Sequence, residues 1–210
     1  MAEPSPLVLG ESTRPHIVLV RHGETEWSRT GRHTGLTDIP LTENGRHQAR
    51  MAGVVLGDRE FGAVLTSPLS RARETAALAG HPEAVPDPDL VEWDYGGYEG
   101  LTTPGIIEAL GHPWSVWTDG VIHGENTPGE TVDAVRRRAA AVIGRVAPVL
   151  DRGEDVLIFA HAHYLRIFAS VWLALPVAAE RLYLGTGAVS ALGHEHGTPV
   201  VVEWNVVAPR

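Results

Sequence analysis

The chain reads as an α/β protein, a three-layer α/β/α sandwich around a mostly parallel sheet with a short lid insertion. Two observations predict this. Residues 16–20 and 156–160 are short, β-branched apolar runs without polar alternation, the pattern of strands covered on both faces. Helical patterns alternate with the strand runs along the chain, which places the helices on the faces of one sheet. A third feature concerns function, because each of these runs ends directly on a histidine, His22 after Arg21 and His161 after Ala160. Sites in open parallel sheets lie beyond the carboxyl ends of the strands, near a topological switch point.

The elements follow in order. After the strand at 16–20, a helix fits 42–56, with Thr42 as N-cap and Glu43 favourably placed in its first turn. Residues 63–66 read as a strand. It leads into Ser67 and Pro68, read as N-cap and first helical residue of a helix carrying Arg71 and Arg73. Residues 93–129 are rich in Gly, Pro and Trp with weak periodicity, and read as a lid of loops and short helices. Val132, Val135, Ala139, Val142 and Val146 form one face of an amphipathic helix, with arginines 136–138 mostly turned to solvent. A helix over 164–173 and strands near 188–193 and 200–206 complete a domain over 15–210, preceded by a disordered tail at 1–14.

Composition excludes several chemistries. All 17 basic residues are arginine, so Schiff-base lysines and Walker-type phosphate loops are absent. There is no cysteine, hence no thiolate nucleophile, disulfide or Cys-ligated zinc. A net charge of −9 argues against nucleic acid or an anionic membrane as partner. No apolar stretch is long enough to span a bilayer and no signal peptide is recognisable, so a cytoplasmic protein is expected. Oligomeric state is not legible, and a homodimer stays open.

The run Arg21-His22-Gly23-Glu24-Thr25, with Trp27 after it, resembles the opening signature of the histidine phosphatase (phosphoglycerate mutase-like) superfamily. The likeness continues in order through Gly31-Arg32-His33-Thr34-Gly35, Leu41-Thr42-Glu43-Asn44-Gly45, Ser67-Pro68-Leu69-Ser70-Arg71, Glu92-Trp93-Asp94-Tyr95-Gly96 and His161. Within that superfamily, the Glu92 run and its continuation from Tyr98 to Thr103 are most similar to actinobacterial acid phosphatases and sugar-phosphate phosphatases. The resemblance implies a metal- and cofactor-independent phosphomonoester hydrolase acting on a small phosphorylated metabolite such as a sugar phosphate. His22 would be the nucleophile, forming a phosphohistidine. Glu92 would be the acid and then the base, with Asp94 as rival. Arg21, Arg71 and a cationic His161 would hold the phosphoryl oxygens, helped by amides of the helix after Ala162, which stands where the family carries Gly. Ser28, Thr34, Gly35 and Tyr95 would line the substrate pocket. Glu99, Arg73 and Arg166 read as structural, the two arginines pairing with carboxylates beneath the site; Trp93, Trp114 and Trp117 read as packing.

Phosphoryl transfer needs these residue types, because preorganised cations stabilise charge spread over the phosphoryl oxygens. Three other readings stand beside it. A phosphoglycerate mutase would share the pocket, yet from Glu74 to Val135 there is no Arg or Lys to grip a carboxylate. A phosphate-binding domain without catalysis would be expected to lack one of the five key residues. The pairs His161-Ala162-His163 and His194-Glu195-His196 could open a metal site. Residues 74–135 hold twelve Asp or Glu, so monophosphates with neutral leaving groups are expected to be preferred over phosphoglycerates and bisphosphates, unless Arg29 or Arg32 reaches the second anion.

Overall fold

The computed structural model describes residues 13–208. The chain runs β1 (Thr13–Arg21), α1 (Glu26–Arg29), α2 (Glu43–Leu56), β2 (Ala63–Thr66), α3 (Ser70–Leu78) and β3 (Val85–Pro86). It continues α4 (Thr103–Leu110), α5 (Val132–Leu150), β4 (Val156–Ala160), α6 (Ala162–Trp172), α7 (Ala178–Arg181), β5 (Val189–Glu195) and β6 (Thr198–Val206). The six strands form one sheet in the order β3-β2-β4-β1-β5-β6. The first four in that order are mutually parallel; β5 and β6 add an antiparallel edge. The expected fold class is therefore the observed one.

Period-two alternation of the central strands builds two cores. Ile17, Leu19, Val156 and Ile158 face one side with Val135, Val142, Leu165 and Phe168 from α5 and α6. Val18, Val20, Leu157 and Phe159 face the other, against Ala52, Val55 and Leu56 of α2 and Ala76 of α3. Neighbouring β1 and β4 thus feed helices on opposite faces of the sheet. That divergence opens the crevice into which His22 and His161 project.

Several elements differ from the sequence reading. Residues 1–12 lie outside those described, so the expected tail is covered only at Thr13 and Arg14, which belong to β1. Ser67 is not an N-cap: α3 begins at Ser70, and its first amide donates to the Asp38 carboxylate at 3.0 Å instead. Ser67 is engaged elsewhere, by His161. Arg138 is not turned to solvent; it pairs with Glu130 and donates to the carbonyls of Asp89 and Val91. Helix α6 starts two residues earlier than expected, and β3 was not foreseen because a two-residue strand carries no periodicity. Among the described residues, no helix is long and apolar enough to cross a membrane.

Candidate active site

The loop after β1 is held against the start of α2 at van der Waals limits. A Cβ on Gly23 would lie 2.2 Å from the Gly45 carbonyl oxygen, and one on Gly45 would lie 2.1 Å from that of Glu24. Only two glycines allow this approach. The Gly23 amide donates to Thr75 Oγ1 at 3.0 Å, and the His22 amide to the Ala160 carbonyl, tying the loop to α3 and β4. His22 is thereby held rigidly in the crevice.

Its tautomer follows from its partner. Nδ1 lies 2.7 Å from the Gly23 carbonyl oxygen, which can only accept, so Nδ1 carries the proton and Nε2 is left with a lone pair. Burial, reinforced by the Arg71 and Arg21 guanidiniums, holds this imidazole well below its ordinary pKa. A neutral ring with a free Nε2 is a competent nucleophile.

His161 packs beside it, with ring centroids 5.1 Å apart. Nδ1 of His161 accepts from Arg71 Nε at 3.2 Å, so its proton sits on Nε2 and is donated to Ser67 Oγ at 2.8 Å. His161 is accordingly neutral, not cationic as the sequence reading had it; burial and the neighbouring Arg71 push its pKa well down. Arg71 is fully buried, and its remaining donors go to the carbonyls of Thr37 and Gly35. It therefore acts on the site as a buried charge behind the two histidines, away from the cavity wall.

Arg21 is different. One terminal nitrogen donates to the Leu184 carbonyl at 2.6 Å, while its buried Nε has no partner among the described residues. An unsatisfied buried donor is costly, so this N–H is available to an acceptor that enters the crevice.

Glu92 is buried at the N-terminus of α6. Oε1 accepts from the amides of Trp93 and Tyr164, at 2.9 and 2.8 Å, and Oε2 from that of His163 at 3.1 Å. Burial raises its pKa, against the opposing pull of those amides. Two of the first three α6 amides thus serve Glu92, which leaves that of Ala162 for a ligand. The rival Asp94 accepts from Gly96, Thr127 and Gly129, and so anchors the lid.

A cavity of about 180 Å³ brings together Arg21, His22, Ser28, Thr34, Glu92, Tyr95 and Ala162. His161 and Arg71 lie behind it. Gly35 faces away, its amide held by Glu99 and its carbonyl by Arg71. A larger cleft of about 690 Å³ lies beyond Thr37 and Glu99, with His123 in its lining but no arginine. Arg32, which the sequence offered as a reach to a second anion, lines the His22 cavity, and so do His33 and His163, which the sequence did not place in the substrate pocket. Tyr95 keeps its proton, since burial raises its pKa well above the ordinary value, and its hydroxyl is hydrogen-bonded with His163 Nδ1. His33 is depressed to about 4 by burial. Among the described residues no three His, Asp or Glu side chains converge as a metal-binding group. Trp93 and Trp114 pack in the core as expected.

The histidine phosphatase superfamily (branch 1) model matches residues 17–207. The chain belongs to that superfamily. Among its relatives in the superfamily is an acid phosphatase from Mycobacterium tuberculosis, 41% identical over 184 residues, covering 86% of this chain and 87% of that protein. Another is a sedoheptulose 1,7-bisphosphatase from Saccharomyces cerevisiae, 38% identical over 195 residues, covering 79% and 70% respectively. A solved structure of a Mycobacterium tuberculosis open reading frame superposes with a TM-score of 0.83 at 39% identity, covering 91% of this chain and 97% of that one. As a superfamily member, the chain carries its histidine signature at Arg21-His22-Gly23, with His161 beside it in the crevice.

Proposed function

We propose that this superfamily member is a phosphomonoester hydrolase that turns over through a phosphohistidine on His22, with a small sugar phosphate as substrate. The observation that carries the reading is the convergence, in one cavity, of the free Nε2 of His22, the unpartnered Nε of Arg21 and the buried carboxyl of Glu92. An acid phosphatase and a sugar bisphosphatase at about two-fifths identity support hydrolysis and the sugar-phosphate class.

In the first step, His22 Nε2 forms a bond to phosphorus as the ester P–O bond breaks. Protonated Glu92 passes its proton to the departing alkoxide. In the second step, Glu92 takes a proton from water, whose oxygen attacks phosphorus and releases His22 and inorganic phosphate. Arg21 Nε and the Ala162 amide hold phosphoryl oxygens throughout. Arg71 keeps His22 neutral between turnovers, and His161, fixed by Arg71 and Ser67, walls the nucleophile. Ser28, Thr34 and Tyr95 line the leaving-group side.

Hydrolysis is favoured over return transfer by the relatives, since the acid phosphatase and the sugar bisphosphatase are 41% and 38% identical and two phosphoglycerate mutases 32% and 34%. A phosphate-release screen over phosphorylated metabolites, run with EDTA, tests the reading. Release from sugar phosphates, unaffected by EDTA, is expected. Isomerisation of phosphoglycerate without phosphate release would overturn it.

A further inference from the structure

The acidic lid does not face the leaving group. Of the twelve carboxylates between residues 74 and 135, only Glu92 lines the His22 cavity. The rest that bear on the site are engaged elsewhere: Glu74 with Arg46, Asp87 and Asp89 with Arg145, Glu130 with Arg138. The premise for disfavouring a second anion is thereby removed. On the opposite wall, Arg32 lines the cavity between Gly31 and His33. No ion pair or side-chain hydrogen bond engages its guanidinium among the described residues; it lies 6.0 Å over the Trp27 ring. Its backbone is pinned twice, by an amide bond to the Trp27 carbonyl at 2.9 Å and by a bridge to Thr102 on the lid.

The other cations near the mouth are spent. Arg29 is paired with Glu26 at 2.5 Å, and Arg166 donates to the carbonyls of Ala179 and Glu180 beneath the Trp117 ring. The remaining mouth residues, Ser28, Thr34, His33 and His163, are uncharged donors and acceptors. An anion there has one cationic partner to meet.

Resting on the hydrolase reading, we propose that Arg32 is a specificity residue which anchors a second oxyanion, a phosphate or carboxylate, on the alcohol portion of the substrate. The preferred substrates are then phosphomonoesters that carry another anionic group, the reverse of what the lid's composition alone suggests. Guanidinium geometry matches either oxyanion.

Binding to the non-turning His22→Ala protein tests this without depending on catalysis. Calorimetric titrations of fructose 6-phosphate, fructose 1,6-bisphosphate and 3-phosphoglycerate are compared with and without Arg32→Gln. The proposal expects the preference for a doubly anionic ligand over fructose 6-phosphate to fall roughly tenfold on losing Arg32, the scale of one charge-assisted contact. It expects Arg29→Gln to leave that preference in place. A fall confined to the bisphosphate identifies a phosphate anchor, and one confined to 3-phosphoglycerate a carboxylate anchor. A preference that survives Arg32→Gln, or that vanishes with Arg29→Gln or Arg166→Gln instead, overturns it. Failure of phosphate release in the unmodified enzyme would count against the hydrolase reading alone.

Discussion

Arg71 Nε donates to Nδ1 of His161 at 3.2 Å, and this single contact decides the charge of the second active-site histidine. A guanidinium N–H cannot accept, so His161 holds only the Nε2 proton, which it gives to Ser67. The phosphoryl pocket therefore relies on Arg21 and Arg71 for positive charge, with both histidines neutral at rest. Nitrogen-15 NMR of the ligand-free enzyme should show His161 as the Nε2–H tautomer with no titration between pH 8 and pH 5.5, since its pKa lies well below the ordinary value of 6.5. A resonance that titrates near pH 6.5 contradicts this assignment.

Glu92→Gln should lower kcat for alkyl phosphates by roughly 10²–10⁴-fold, the usual range for a lost general acid, and much less for p-nitrophenyl phosphate. The aryl leaving group departs without a proton. Asp94→Asn should loosen the lid, whose Gly96, Thr127 and Gly129 contacts it weakens, without that substrate split. A split that follows Asp94 would move the acid role there.

The pH profile follows from the two shifts. Burial raises the Glu92 pKa above 4.5, so the acid form persists into mildly acidic solution and the alkaline limb for alkyl phosphates reports its loss. His22 stays neutral on that side, because its pKa is lowered well below 6.5. The alkaline limb should vanish in Glu92→Gln and remain in His33→Gln. Persistence of the limb in Glu92→Gln assigns it to another group.

Stability has its own pH signature. His22, His161 and His163 are all held neutral in the fold with lowered pKa values. The unfolded chain binds protons at these positions below about pH 6.5, whereas the folded chain does not. Stability should then decline as pH falls below that value. Glu92 opposes this in part, since its raised pKa favours the folded state while protonated. Thermal unfolding at pH 7.5 and pH 5.5 measures the balance, and His163→Phe should reduce the slope.

Gly45→Ala should destabilise the fold by about 1–3 kcal/mol, the usual cost of overpacking, because the added methyl meets the Glu24 carbonyl at 2.1 Å. It should also displace the loop that carries His22, lowering activity beyond the loss of folded protein. Denaturant titration with activity normalised to folded fraction separates the two effects.

The placement of both histidines at strand ends was readable because buried strands and their terminating residues are adjacent in sequence. Tertiary partners were not. The Ser67-Pro68 pair has the composition of a helix start, yet Ser67 is claimed by His161 across 94 positions, and Asp38 caps the helix from 32 positions upstream. The charge of His161 was misread for the same reason, since Arg71 is its partner only in the fold. His33 looks like an ordinary loop residue and His163 like half of a metal-binding pair until the lid's Tyr95 joins them. Lid charge was legible as a count, but which carboxylates face the cavity depends on arginines of α5 that neutralise them.

The central claim is a covalent intermediate on His22, and rapid-quench trapping tests it most directly. The enzyme is mixed with a phosphorus-32-labelled sugar phosphate, quenched in alkali and mapped by mass spectrometry. We expect one acid-labile phosphoryl group per chain, on Nε2 of His22, forming at least as fast as steady-state turnover and absent from His22→Ala. Label on another residue, or His22→Ala retaining more than about a hundredth of the original turnover, would contradict the account.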